Sequence, residues 1–290
     1  MERIIDTADG RRLAVSEGGV PDGIPVLVHY GTPNSRLQYA PDVASAAERG
    51  MRFITYDRPG YGGSSPRPGR SVADCADDVR AICSSLRLDR VLTWGISGGG
   101  PHVLACAAPL PDLIPAAASL ASPAPWGAEG LEWFAGMGDL NVDDYKLLLR
   151  DRDAARVKLE NDRLEMLGAT AEQVGDLIMT LVSEADAAVF TPELAQYFVD
   201  SAVQGLGPGC EGWWEDGVAD IEPWGFALDD IAIPTLLLHG RQDRFVPYGH
   251  GAWLATHIPG VEARLSEDDG HLTLPARRLG EVHDWLLAHW

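Results

Sequence analysis

The pentapeptide Gly95-Ile96-Ser97-Gly98-Gly99 constrains this chain more than any other feature. It stands directly after the apolar run VLTWG at 91–95 and directly before an apolar stretch of helical spacing that reaches Ala108. A strand that turns sharply into a helix needs small residues on both sides of the corner, and the corner residue itself is forced into strained backbone. The same alternation surrounds it. Residues 25–30 (PVLVHY) read as a strand ending in the turn GTPNS, and residues 52–56 (RFITY) as a strand running into DRPGYGGSS. Residues 72–86 place Val72, Ala76, Val79, Ile82, Cys83 and Leu86 on one helical stripe. Residues 116–121 read as the next strand. Strands alternating with helices predict βαβ units and a mostly parallel sheet, and near-continuous apolar strands predict a sheet covered on both faces.

From residue 123 to residue 228 the alternation stops. Helical periodicity runs through 143–167 and 171–189, and Thr191-Pro192-Glu193 reads as the start of another helix with proline in its first turn. This segment holds 21 acidic and 6 basic residues, a net of −15 out of −20 for the whole chain, so most of the negative charge is concentrated here. It also holds Trp126, Trp133, Trp213, Trp214 and Trp224. Strand character returns at 233–239 and 261–265, and a helix is predicted over 279–290. The chain thus divides into a first part of an α/β core (1–122), a helical cap (123–228) and a second part of the core (229–290).

Charge and cysteine content narrow the available functions. A net charge of −20 repels a phosphate backbone and an anionic membrane surface alike, so neither nucleic acid nor membrane is an expected partner. No run approaches the ~18 apolar residues of a membrane span. The opening MERIIDTADGRR lacks a basic stretch followed by an apolar one, so the expectation is a cytoplasmic protein. Cys75, Cys83, Cys106 and Cys210 form no C-x-x-C pair and no cluster with histidine, which predicts buried thiols and no zinc. No Lys-Ser or Lys-Thr follows the glycines, and Gly98-Gly99-Gly100 lacks G-x-G-x-x-G order. No cofactor and no metal are expected.

Ser97 on a tight strand-to-helix turn projects its hydroxyl above the sheet, near the positive end of the following helix, which suits a nucleophile. The plainer reading of a glycine-rich turn is a loop. A serine nucleophile needs a base, and the base needs an orienting carboxylate. His271, in Asp269-Gly270-His271-Leu272, follows the last predicted strand. Asp243, in HGRQDRFVP, follows the strand ending at His239. Both fall on loops at strand C-termini, the edge where parallel sheets place their ligand sites. Asp268 and Asp269 are rival acids by sequence proximity to His271. The turn His29-Tyr30-Gly31-Thr32-Pro33 follows the first strong strand, and the Thr32 N–H paired with that of Gly98 is positioned to hold a developing oxyanion.

Taken together, HYGTP, DRPGYGGSS, GISGGG, HGRQDRFVP and DGHL resemble the α/β-hydrolase superfamily, in its serine hydrolase branch with a helical cap. The resemblance runs the length of the chain, with least support in the cap. It implies an α/β-hydrolase fold, a mostly parallel central sheet flanked by helices, with the cap inserted before the last core strands. It implies Ser97 as nucleophile, His271 as base, Asp243 as acid, and Asp57-Arg58-Pro59-Gly60-Tyr61-Gly62 as a scaffold loop. Tyr30 departs from the family's commoner adjacent His-Gly pair. Ala121-Ser122-Pro123-Ala124 offers no carboxylate at the position where some members carry the acid.

Capped dehalogenases and epoxide hydrolases of the superfamily use aspartate where this chain has Ser97. The resemblance therefore implies hydrolysis of a carboxylic ester or lactone of a neutral, fairly hydrophobic small molecule through an acyl-enzyme. A proline-type aminopeptidase and a small-molecule binding protein with little turnover are the alternatives. Tryptophans of the cap either pack between its helices or line an apolar pocket against the core. Oligomeric state is not readable from the sequence.

Overall fold

The computed structural model describes residues 1–290. Eight strands form one sheet: β1 (Glu2–Asp6), β2 (Arg12–Gly19), β3 (Ile24–His29), β4 (Met51–Tyr56), β5 (Leu92–Ile96), β6 (Ala117–Leu120), β7 (Thr235–Gly240) and β8 (Glu262–Ser266). Their order across the sheet is β1-β2-β4-β3-β5-β6-β7-β8. β1 and β2 are antiparallel to each other and β2 is antiparallel to β4, while the remaining pairs are parallel.

The strands at the centre are buried end to end, β7 in all six residues, which explains their unbroken apolar sequence. Alternate residues supply two cores. One face carries Leu27, Ile54 and Leu237 against Val79 and Ile82 of α2 (Cys75–Leu86), Val103 and Leu104 of α3 (Gly100–Ala107), and Leu254 of α10 (Tyr248–His257). The other carries Val28, Phe53, Trp94 and Leu238 against Ala46 of α1 (Ala40–Glu48) and Leu279, Val282 and Leu286 of α11 (Thr273–Ala288). The opening β1–β2 hairpin has a weak apolar signature, because β1 buries only Ile5 of its five residues and the apolar run of β2 is only Leu13-Ala14-Val15.

Between β6 and β7 the chain forms six helices: α4 (Asp139–Arg150), α5 (Arg152–Gly168), α6 (Ala171–Leu181), α7 (Glu184–Ala187), α8 (Pro192–Leu206) and α9 (Glu211–Ile221). The single helix expected over 143–167 is broken at Asp151, whose extended backbone lets its side chain cap α5 by accepting the Ala154 N–H at 3.0 Å. The helix expected over 171–189 likewise stops at Leu181. Val182 is extended, and the Ser183 hydroxyl then accepts the Asp186 N–H to start α7. Apolar periodicity passes through both breaks, so only the capping side chains reveal them. α8 begins as expected, with Thr191 capping the Leu194 N–H at 3.2 Å. α11 begins at Thr273 rather than at 279, and that earlier start matters at the site below.

No helix is long and apolar enough to cross a membrane. All four cysteines are buried and none forms a disulfide. Trp224 belongs to the core beneath α2 and α3, whereas Trp133, Trp213 and Trp214 line a cavity between the sheet edge and the six-helix insert.

Candidate active site

Strand register brings the sequence-predicted residues together. His29 of β3 lies level with Gly95 of β5, so Gly31 and Ser97, each two residues further on, leave the sheet side by side. Ser97 turns the corner with φ +55°, a left-handed conformation that costs any residue with a Cβ about 1–2 kcal/mol. The corner closes only because Gly99 has no side chain: a Cβ there would overlap the His29 carbonyl oxygen. Gly98 also lacks room for a side chain, since a Cβ on it would lie 2.5 Å from Thr32 Oγ1. Below it, His102 of α3 donates Nδ1–H to the Gly98 carbonyl at 2.8 Å.

On the far side of Ser97, β7 and β8 end level with each other, Gly240 opposite Ser266. The loops that follow carry Asp243 and His271, and Asp243 Oδ2 lies 2.7 Å from His271 Nδ1. The other oxygen, Oδ1, accepts the N–H groups of Phe245 at 2.9 Å and Val246 at 2.8 Å, so the carboxylate is fixed before histidine is considered. His271 Nδ1–H donates to it, which leaves Nε2 as the unprotonated nitrogen. Burial disfavours the charged imidazole, but the Asp243 carboxylate, its hydrogen bond and the more distant Asp186 outweigh it, and the His271 pKa is held above its ordinary value. The neighbouring His239 is fully buried and has its pKa pushed down, so it stays neutral beside Asp243. The rival Asp269 turns away to Arg278, 3.1 Å distant. The structure therefore places Asp243 on the imidazole, and Ser97 and His271 open into one cavity.

Tyr30, which separates His29 from Gly31, sends its ring inward against Trp94 and Tyr197 and donates its hydroxyl to Asp42 at 3.0 Å. The inserted residue thus leaves Gly31 and Thr32 next to Ser97. The Thr32 turn is held from beneath by Arg58, which donates to the Tyr30 carbonyl at 2.5 Å and to Thr32 Oγ1 at 3.0 Å. Arg58 and Arg70 both pair with Asp216 of α9, which also accepts from Thr32 Oγ1 and Tyr61 at 2.8 Å each. Burial opposes the Asp216 charge, yet the two guanidiniums hold its carboxyl far below the usual range.

The cavity measures about 1230 Å³. Its walls are mostly apolar, with Met137, Leu148, Leu159, Ile178, Trp213 and Trp214 from the insert and Phe245, Val246 and Leu272 from the core. Its ionisable lining is Asp42, Asp144, Asp162, Glu165 and Asp220 against Lys158 and Arg277, an excess of acidic groups. Lys158 bridges two of the five, 2.9 Å from Asp144 and 2.6 Å from Asp162, and its single charge balances one of them. Burial pushes Asp42 and Asp220 up to about 7, with Tyr30 and Tyr145 donating to them. No three His, Cys, Asp or Glu side chains converge as metal ligands.

Three residues of this site carry no sequence signal. Arg58 sits in a loop that reads only as scaffold, and Asp186 and Asp216 are two of 21 acidic residues in the insert, with nothing in their local context to mark them as buried.

A serine at a left-handed strand-to-helix turn and a hydrogen-bonded histidine–aspartate pair thus share one mostly apolar cavity. The chain belongs to the α/β-hydrolase family, whose model, described as the alpha/beta hydrolase fold, matches residues 24–275. It is 27% identical over 278 residues to the AB hydrolase superfamily protein YisY of Bacillus subtilis, covering 93% of this chain and 92% of that one. Its fold is similar to a bromoperoxidase from Bacillus anthracis (TM-score 0.71, 22% identity, 100% and 99% of the two chains). It is equally similar to a thermophilic esterase from Thermogutta terrifontis (TM-score 0.71, 23% identity, the same coverage).

Proposed function

We propose that this protein is a serine hydrolase that cleaves a carboxylic ester or lactone of a neutral, fairly hydrophobic small molecule through an acyl-enzyme. The observation that carries the reading is the 2.7 Å contact of Asp243 Oδ2 with His271 Nδ1, beside a Ser97 that opens into the same apolar cavity. His271 Nε2 takes the proton as Ser97 Oγ attacks the carbonyl carbon, and Asp243 stabilises the imidazolium that forms. The oxyanion is held by the N–H groups of Gly98 and Thr32, which Arg58 and His102 support from below. Collapse returns the proton to the departing alcohol and leaves the acyl group on Ser97. A water deprotonated by His271 then attacks that acyl carbon, and the acid is released with Ser97 restored.

The helical insert, residues 123–228, acts as the cap. Its aromatic and aliphatic side chains supply most of the apolar wall, which favours a hydrophobic substrate. Steady turnover of a neutral p-nitrophenyl ester, abolished by Ser97→Ala, is the expected result. A burst of one nitrophenol per chain followed by no turnover identifies a binding protein instead.

A further inference from the structure

Asp186 lies in α7 of the insert with none of its surface exposed. Its carboxylate enters the turn that carries His271. Oδ2 accepts the His271 N–H at 2.8 Å, and Oδ1 accepts the N–H groups of Leu272 at 2.7 Å and Thr273 at 3.0 Å. These amides open α11, where the first N–H groups have no partner within the helix and where negative charge is favoured. Gly270 is required beside them, because a Cβ there would overlap the Asp186 carboxylate. Asp186 pairs with no Lys or Arg, and its three hydrogen bonds are all to main-chain donors of this one turn.

The consequence is a division of labour around one imidazole. Asp243 fixes the ring through Nδ1, while Asp186 fixes the backbone of the same residue from the opposite domain segment. We propose that Asp186 is a positioning residue for His271, and that the insert, through this side chain, sets the imidazole in register with Ser97. The proposal rests on the serine hydrolase reading for its functional meaning. A shift of about 1 Å in a reacting group is worth roughly a hundredfold in rate, and nothing else in the insert hydrogen-bonds the His271 turn. Three ionisable groups act on His271, namely Asp243 and His239 from β7 and its loop and Asp186 from α7, while Asp269 turns away to Arg278. Both Asp243 and Asp186 favour its protonated form.

The test compares wild type with Asp186→Asn by NMR titration of the His271 imidazole, assigned with His271→Gln, and by the rate of fluorophosphonate labelling at Ser97. The expected outcome is an imidazole that titrates at lower pH, with the acidic limb of the labelling rate moving down alongside it. Labelling at the high-pH plateau should fall about 10- to 100-fold. Glu222→Gln, which removes an exposed insert carboxylate paired with Arg152, should leave both readouts unchanged. Should Asp186→Asn not fold, Asp186→Ser carries the same comparison, since its hydroxyl accepts one N–H without charge. A variant that titrates and labels like wild type overturns the proposal, and so does a shifted titration with no loss of rate. If wild type itself is not labelled at Ser97 while the titration still depends on Asp186, the hydrolase reading fails and the coupling of Asp186 to His271 stands.

Discussion

Arg58 Nε lies 3.1 Å from Asp216 Oδ2, joining the loop after β4 to helix α9 of the insert through two side chains that are almost wholly buried. Arg70 completes the cluster on the other oxygen. Replacing Asp216 by asparagine leaves two buried guanidiniums without a counter-charge, a loss on the order of 3–5 kcal/mol. Urea unfolding should register it. Because Asp216 is held far below the ordinary carboxylate range, its stabilising effect is complete above that ordinary range and is lost only as pH falls through the lowered folded value. The wild-type advantage over Asp216→Asn should therefore persist into mild acid, and an advantage that vanished near pH 5 would contradict the assignment.

Asp42 behaves in the opposite sense. Burial raises it to about 7, so its neutral form fits the fold and its ionised form does not. Stability linked to it is full below the unfolded carboxylate value and declines as pH rises toward the folded value, by up to about 4 kcal/mol. Asp42→Asn should gain thermal stability relative to wild type between pH 4 and pH 8. A difference in Tm that does not change with pH rules this out.

Strain at Ser97 separates two inactive variants. Ser97→Ala keeps the Cβ that φ +55° disfavours, and Ser97→Gly removes it. The glycine variant should be more stable by about 1 kcal/mol, the left-handed penalty less the chain entropy that glycine adds to the unfolded state. Equal melting temperatures would mean that the turn stores no strain.

The acidic lining of the cavity bears on substrate choice. A carboxylate-bearing ester should show lower kcat/KM than its neutral analogue, and added salt should narrow the gap by screening charge over about 8 Å. An anionic ester that is faster at low salt contradicts the charge argument. A gap insensitive to salt assigns the preference to the shape of the pocket.

Much of this was legible in the sequence because it depends on local chemistry. The corner at Ser97 needs its glycines, the strands β3 to β7 advertise their double burial, and Asp243 and His271 stand where parallel strands end. Three kinds of feature were not legible. The β1–β2 hairpin buries only Ile5 of β1, and its one apolar run is the short Leu13-Ala14-Val15 of β2. The breaks at Asp151 and Val182 hide inside continuous helical periodicity. Asp186 and Asp216 owe their roles to contacts made 85 and 158 residues away in the chain, with His271 and Arg58, and no local pattern records such a partner.

Fluorophosphonate labelling followed by peptide mapping reads the nucleophile without knowledge of the substrate. One adduct per chain is expected, located on Ser97, absent in Ser97→Ala and strongly slowed in His271→Gln. Adduct formation on another serine, or undiminished labelling of Ser97→Ala, would contradict it.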